Sequence, residues 1–145
     1  MSPNHNTIII VDDEEYIRRF VVRILSASGY NILEAHNAEQ ALALAETNDF
    51  DLLLTDIVMP GMDGIELAEL ISKKRPHSKI LFMSGYSGKF EKNTNACSEE
   101  INFIQKPFKI SDLIKLIKTI LIKTTPRPDP SLQCKYFSPI THSLT

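Results

Sequence analysis

Cysteine is scarce in this chain, and tryptophan is absent. The 145 residues contain two cysteines, Cys97 and Cys134, which lie far apart and have no histidine cluster beside them. Two isolated cysteines argue against a disulfide framework, which needs several cysteines in a short chain, and against a zinc site, which needs several Cys or His ligands at set spacings. A reducing compartment fits such a chain best, and we expect the protein to be cytoplasmic.

The sequence also lacks an excess of one charge and a long apolar run. Sixteen basic and eighteen acidic side chains give a formal net charge of −2, which offers no general attraction for nucleic acid or an anionic membrane. No stretch approaches the ~20 apolar residues that span a bilayer, and the first residues do not resemble a signal peptide. We therefore expect no membrane or nucleic-acid contact by this chain.

Short apolar runs alternate with segments of helical periodicity. The run IIIV at residues 8–11 predicts a strand buried on both faces, and apolar residues at helical spacing then continue to Gly29. The same reasoning predicts further strands at 30–35, 50–56, 79–85 and 101–106, and helices that start near Asn37, after the turn-rich MPGMDG segment and near Ser111. Alternation of this kind predicts a three-layer α/β domain with a parallel sheet.

The remaining segments carry weaker signals. Residues 86–100 should hold a helix between the fourth and fifth strands, but their apolar periodicity is poor, so we expect a short or irregular element. We expect a flexible N-terminus over residues 1–6, one domain over 7–122, and a flexible tail or linker stub over the proline-rich residues 123–145.

Polar residues follow the ends of four predicted strands. Asp12 and Asp13 come after the first strand, Asp56 ends the third, Ser84 ends the fourth and Lys106 ends the fifth. In an open parallel sheet, ligands bind beyond the carboxyl ends of the strands. We therefore expect three carboxylates, a hydroxyl and an amine to lie close together.

This combination predicts phosphoryl chemistry. Clustered carboxylates repel one another unless a cation neutralises them, and ligands that offer only oxygen favour a hard ion such as Mg²⁺. Lys106 and Ser84 then supply a charge and a hydroxyl for phosphoryl oxygens. A carboxylate can itself attack phosphorus and form an aspartyl phosphate.

Each residue taken alone also has a purely structural interpretation. Acids after a strand stabilise the N-terminus of the next helix through its dipole, and we assign only this role to Glu14 and Glu15. A single Asp or Ser after a strand often caps a helix or forms a turn, and a Lys-Pro pair can simply end a strand. Their joint occurrence at four strand ends is what favours a functional site.

Four segments, IIIVDDEE, LLLTDIVMPGMDG, LFMSGYS and FIQKPF, closely resemble the receiver domain of two-component response regulators. The resemblance extends over about residues 7–122 and implies a flavodoxin-like fold with strand order 2-1-3-4-5. It implies that Asp56 is the phosphoacceptor and that Asp12, Asp13, Asp56 and the backbone carbonyl of Val58 bind Mg²⁺. The last two motifs look most like receivers at the C-terminal end of hybrid sensor kinases.

The resemblance also implies a switch and a partner. Ser84 corresponds to the switch hydroxyl, Lys106 to the phosphate-pairing lysine and Phe103 to the switch aromatic residue, and the peptide bond before Pro107 is expected to be cis. The phosphoryl donor would be a phosphohistidine on a histidine kinase or a histidine phosphotransfer protein. The chain would then be a signalling domain and not an enzyme, with an output partner that the sequence does not identify.

The sequence leaves two alternative functions open. The chain could be a receiver-like interaction module that has lost phosphotransfer. It could also be a phosphatase similar to haloacid dehalogenases, which use an Asp-x-Asp pair whose second acid protonates the leaving group. Val58 occupies the place of that second acid, which weighs against the phosphatase.

Overall fold

The structure is a computed structural model that describes residues 6–85 and 102–122. The strands are β1 (Thr7–Val11), β2 (Asn31–Ala35), β3 (Leu52–Asp56), β4 (Lys79–Ser84) and β5 (Asn102–Gln105). The helices are α1 (Glu15–Ala27), α2 (Ala38–Thr47), α3 (Gly64–Lys74) and α4 (Ile110–Ile122). Strands and helices alternate along the described segments, as the sequence predicts.

The five strands form one parallel sheet in the order β2-β1-β3-β4-β5. This confirms the predicted flavodoxin-like arrangement. The register places Val11 opposite Thr55, Asp56 opposite Met83 and Ser84 opposite Gln105. The carboxyl ends of β1, β3, β4 and β5 therefore meet at one edge, which is where the polar residues follow the strands.

Two apolar layers cover the faces of the sheet. Alternate side chains of a strand point to opposite faces, so Ile9 and Val11 face α2 and α3, whereas Ile8 and Ile10 face α1 and α4. Residues 8–11 of β1 and all of β3 are buried, which confirms the prediction of strands covered on both sides. Helices on both faces make the predicted three layers.

Side-chain caps define where two of the helices begin. The Asn37 side chain accepts a hydrogen bond from the Gln40 backbone N–H at 2.7 Å, and Asp63 accepts one from Glu66 at 2.9 Å. The Gln40 side chain accepts from the N–H of His36, one residue earlier than in a reciprocal capping box. The predicted start of the helix near Asn37 is thus confirmed with a variation in its second bond.

Some of the predicted segments lie outside residues 6–85 and 102–122. The short or irregular helix over 86–100 and the tail over 123–145 lie beyond the described residues, and the domain limits 7–122 stay a prediction. Within residues 6–85 and 102–122, no helix has the length and apolar character needed to cross a bilayer.

Gly64 allows α3 to start directly against the end of β3. Its backbone N–H donates to the carbonyl oxygen of Ile57 at 2.8 Å, and a Cβ atom built on Gly64 would overlap the backbone oxygen of Asp56. A backbone atom cannot move aside as the end of a flexible side chain can. Glycine is therefore required here by close approach, and it fixes the distance between α3 and the site residue Asp56.

We expect Gly64→Ala to lower the free energy of unfolding by about 2 kcal/mol through steric overlap, although alanine is the better helix former by ~1 kcal/mol. Urea denaturation followed by circular dichroism measures this change. Gly85→Ala is the matched control, since a Cβ atom there meets nothing within 4 Å. Equal stability of the two variants would contradict the close-approach argument.

Candidate functional site

Lys106 connects the ends of two central strands. Its ammonium group lies 3.0 Å from Oδ2 of Asp12 and 3.2 Å from Oδ2 of Asp56. Asp12 follows β1, Asp56 ends β3 and Lys106 follows β5, so the sheet brings together residues 94 positions apart in the sequence. The predicted meeting of these residues at the carboxyl edge of the sheet is therefore present in the structure.

Three carboxylates surround this point. One oxygen from each of Asp12, Asp13 and Asp56 lies within 4.8 Å of the others. Asp12 is fully buried and Asp56 is 7% exposed, whereas Asp13 is exposed. The cluster is therefore buried at Asp12 and Asp56 and accessible to solvent at Asp13, which is the side from which an ion or a phosphoryl donor can approach.

Backbone N–H groups fix the two buried carboxylates. Oδ1 of Asp12 accepts from the N–H of Glu14 at 2.9 Å, and Oδ1 of Asp56 accepts from the N–H of Ile57 at 2.8 Å. In both residues the other oxygen, Oδ2, faces Lys106. Each carboxylate therefore has one oxygen held by the chain and one oxygen directed into the site.

Burial raises the pKa of Asp56 above its ordinary value of 3.8. The charge of Lys106 lowers this pKa, but the nearby Asp12 carboxylate raises it again. Lys106 is shared between the two acids and therefore cannot fully compensate either of them. Ionisation of Asp56 is therefore less favourable in the folded protein than in the unfolded chain.

The two buried acids raise the pKa of Lys106 above 10.5. Burial by itself would lower it, but the hydrogen bonds and charges of Asp12 and Asp56 prevail. A raised lysine pKa means that the ammonium form stabilises the fold below pH 10.5, and that this contribution is lost as the pH rises through the folded-state value. Lys106 is therefore charged throughout the physiological range.

The donor set fits a hard divalent cation. The cluster contains three carboxylates, two of which pair with the ammonium group of Lys106, and all the ligand atoms that the carboxylates offer are oxygens. Such ligands suit Mg²⁺ or Ca²⁺ and disfavour metals that prefer sulfur or nitrogen. Burial is the main cause of the raised pKa of Asp56, and a bound cation would offset the additional repulsion from Asp12.

The other predicted site residues lie on the same edge of the sheet or beside it. Ser84 is buried at the end of β4, and its backbone oxygen accepts from the N–H of Lys106 at 2.8 Å. Phe103 is partly buried and packs against the apolar layer formed with α2 and α3. Val58 follows β3 with a side chain exposed to solvent, and the Lys106–Pro107 peptide bond is cis.

Two residues contribute to the site in ways that the sequence analysis missed. Glu14, assigned only to the helix dipole, places Oε1 3.8 Å from the Lys106 ammonium group. Arg18 donates to the backbone oxygen of Asp12 at 2.8 Å. A signal for Arg18 exists in the sequence, because it precedes the buried residues Val21 and Leu25 by three and seven positions and thus lies on the inward stripe of α1.

The fold and the site together define a class: α/β domains with a cluster of carboxylates and a lysine at the carboxyl edge of a parallel sheet. The family model described as "Response regulator receiver domain" matches residues 8–118. The chain therefore belongs to the response regulator receiver domain family, the phosphoacceptor signalling domains of two-component systems. Receiver domains interact with histidine kinases and with downstream effectors.

Two proteins of Brucella abortus are similar to this chain in sequence. The response regulator receiver protein CpdR of Brucella abortus is 36% identical over 115 residues, which cover 79% of this chain and 96% of CpdR. The sensor kinase CckA of the same organism is 35% identical over 120 residues, which cover 81% of this chain but 13% of CckA.

Solved structures agree with the fold. A CheY-like receiver domain protein from Methanospirillum hungatei superposes with a TM-score of 0.74 and 34% identity, covering 81% of this chain and 94% of that chain. TrrA from Thermotoga maritima, in complex with Mg(2+)-BeF, superposes with a TM-score of 0.71 and 33% identity, covering 80% of this chain and 99% of that chain.

We expect Asp56→Asn to raise the free energy of unfolding of the metal-free protein at neutral pH. A carboxyl group with a raised folded-state pKa binds its proton more tightly in the folded protein, so its ionisation opposes folding. This penalty is small below pH 3.8, grows as the pH rises through the folded-state value and is constant above it. Denaturation in EDTA at several pH values measures the difference between the two proteins.

The control for this measurement is Asp49→Asn. Asp49 has a side chain that is 98% exposed, in an ion pair with Arg75 remote from the cluster. It undergoes the same chemical change without the burial that perturbs Asp56. A wild-type protein as stable as Asp56→Asn at every pH would show that burial of Asp56 carries no such penalty.

Proposed function

We propose that Asp56 accepts a phosphoryl group from a phosphohistidine on a histidine kinase or a histidine phosphotransfer protein. The observation that carries this proposal is the binding of one lysine to both Asp12 and Asp56, at 3.0 and 3.2 Å, beside the exposed Asp13. Acceptor, cation ligands and phosphate partner then occupy one open pocket. We place this function in a domain over residues 7–122 that acts in the cytoplasm.

The transfer exchanges one bond to phosphorus for another. A carboxylate oxygen of Asp56 forms the new O–P bond while the N–P bond of the donor histidine breaks, and the imidazole leaves with the electron pair and takes up a proton. Asp56 is attached to the rigid end of β3, and its Oδ1 is held by the N–H of Ile57. The chain therefore presents the nucleophile in a fixed position, which is much of what phosphoryl transfer requires.

We propose Asp12, Asp13, Asp56 and the backbone carbonyl of Val58 as the residues that would hold Mg²⁺. When bound, Mg²⁺ supplies positive charge against the carboxylates and the phosphoryl oxygens. The clustered oxygens of the three acids support this assignment, and so does the Mg(2+)-BeF complex of the related TrrA. Without a cation, a phosphoryl donor would approach an excess of like charge.

Lys106 and Ser84 would bind the phosphoryl oxygens after transfer. The ammonium group of Lys106 lies 3.2 Å from Oδ2 of Asp56, so it is already within reach of a group attached there. Ser84 ends the neighbouring strand β4 and offers a hydroxyl. We infer that their movement toward the new dianion is the first step of the switch.

The switch would pass from Ser84 to Phe103 on the adjacent strand β5. Phe103 is partly buried, and we infer that it would turn further toward the interior and thereby change the surface around β5. Phosphorylation would bias an existing equilibrium, and a change from 1:99 to 99:1 needs about 5.5 kcal/mol of differential stabilisation. The chain would thus serve as a phosphoacceptor that promotes only its own phosphorylation and dephosphorylation.

Acetyl phosphate with Mg²⁺ tests the acceptor assignment. We expect the wild-type protein to gain the ~80 Da of one phosphoryl group in intact mass spectrometry, because the small donor can enter the open side of the pocket. Asp56→Asn and an EDTA-treated sample should gain nothing. Asp49→Asn, the same change at an exposed position, should behave as the wild type.

The results separate the competing functions. Equal labelling of Asp56→Asn would reject Asp56 as the acceptor. If neither protein is labelled, the receiver-like interaction module without phosphotransfer becomes the better description. Sustained hydrolysis of a phosphate monoester such as p-nitrophenyl phosphate would instead indicate the haloacid-dehalogenase-like phosphatase.

Lys106→Ala should separate labelling from switching. We expect the variant to keep the ~80 Da gain, since the nucleophile and the acid cluster remain, but to lose the conformational response that follows the movement of the ammonium group. Hydrogen exchange of β4 and β5, measured with and without beryllium trifluoride and Mg²⁺, reports that response. A wild-type exchange response in Lys106→Ala would contradict the proposed role of Lys106.

A further inference from the structure

Arg18 joins α1 to the ends of β1 and β2 through two hydrogen bonds. Nη1 donates to the backbone oxygen of Asp12 at 2.8 Å, and Nε donates to Oε2 of Glu34 at 3.0 Å. The Arg18 side chain is 11% exposed, although it belongs to a helix that faces solvent on its other side. A guanidinium group fixed in this way is a rigid connection, because its donors form a planar fork.

The oxygen that Arg18 binds belongs to the peptide that joins Asp12 to Asp13. This peptide plane fixes the positions of the Asp13 N and Cα atoms and thereby, together with φ of Asp13, the direction of its side chain. The Asp12 side chain is already held by Glu14 and Lys106. Asp13 is the exposed member of the acid cluster, so its position depends most on the peptide that Arg18 holds.

Glu34 makes the role of Arg18 geometric and not electrostatic. Its carboxylate forms an ion pair with the guanidinium group, and its side chain is 38% exposed. The charge of Arg18 is therefore offset locally and reaches the acid cluster only weakly. Lys106, in contrast, bonds to the carboxylates themselves.

We propose that Arg18 is a positioning residue that orients the Asp12–Asp13 peptide and thereby sets the affinity of the acid cluster for Mg²⁺. This inference rests on the proposed function, since it assumes that Asp12 and Asp13 hold the ion. Groups that orient metal ligands typically change metal affinity by 10–100-fold when they are removed. Arg18 would affect occupancy of the site without contacting the ion or the phosphoryl group.

The test compares Arg18→Met with Arg19→Met. Methionine keeps most of the apolar stem and removes the fork, and Arg19 provides the same change at a side chain that is 70% exposed and pairs only at 3.5 Å with Glu15. The melting temperature of each protein is measured against Mg²⁺ concentration by circular dichroism and referred to its own value in EDTA. An ion that binds only the folded state raises the free energy of unfolding by RT ln(1 + [Mg²⁺]/Kd), so a weaker site needs a higher Mg²⁺ concentration for the same rise in melting temperature.

We expect Arg18→Met to need about tenfold more Mg²⁺ than the wild type for the same rise in melting temperature above its value in EDTA, and Arg19→Met to match the wild type. The rate of labelling by acetyl phosphate should show the same displacement in Mg²⁺ dependence, with a maximal rate close to that of the wild type. A merely structural role would lower the melting temperature in EDTA but leave unchanged the Mg²⁺ concentration that is needed for a given rise above that value. That result would overturn the inference.

Arg18→Lys distinguishes geometry from charge. Lysine keeps the positive charge but has no planar fork, so we expect its Mg²⁺ requirement to rise as in Arg18→Met. A wild-type requirement in Arg18→Lys would overturn the positioning role. If Mg²⁺ does not raise the melting temperature of the wild-type protein, the proposed function is overturned as well. If the wild type responds and the Arg18 and Arg19 variants have the same Mg²⁺ requirement, only this inference is overturned.

Discussion

The repulsion between carboxylates held at one edge of the sheet is the constraint on which this structure depends. Asp12 and Asp56 are buried and share the single ammonium group of Lys106, while Asp13 adds a further charge at the open side. Mutual repulsion of this kind makes a site receptive to cations and to groups that carry them. The fold must hold these charges together even though they oppose being held.

The parallel sheet supplies the rigidity that this requires. β1 and β3 lie next to each other in the centre of the sheet, and apolar layers cover both of their faces. Residues at their carboxyl ends therefore cannot separate without disturbing the core. Gly64 adds a second restraint, since the start of α3 lies against the backbone of Asp56. Burial of apolar surface elsewhere thus stabilises a cluster that would be unfavourable in an isolated peptide.

Much of this arrangement can be predicted from the sequence, because it depends on regular periodicity. The buried run at 8–11 and the acid that ends β3 specify strands and their polar ends, and parallel topology then places those ends together. The contacts of Glu14 and Arg18 depend instead on the rotation of α1 about its axis and on side-chain rotamers. Strand and helix patterns do not determine such distances, although the inward position of Arg18 on α1 gives a partial signal.

Two cationic side chains contact Asp12: Arg18 binds its backbone oxygen and Lys106 binds its carboxylate. They differ in how freely their donors can reorient. Lys106 has oxygen neighbours at 3.0, 3.2 and 3.8 Å, and a lysine ammonium group carries three rotatable donors on a flexible stem. Arg18 is held by two acceptors in fixed directions and offers no such freedom. A phosphoryl group on Asp56 would therefore be met by a charge that can follow it, while the carboxylates around it keep their positions. If Lys106 moves toward a phosphoryl group as proposed, the bonds of Arg18 to Asp12 and Glu34 would keep the main chain of the acid cluster in place.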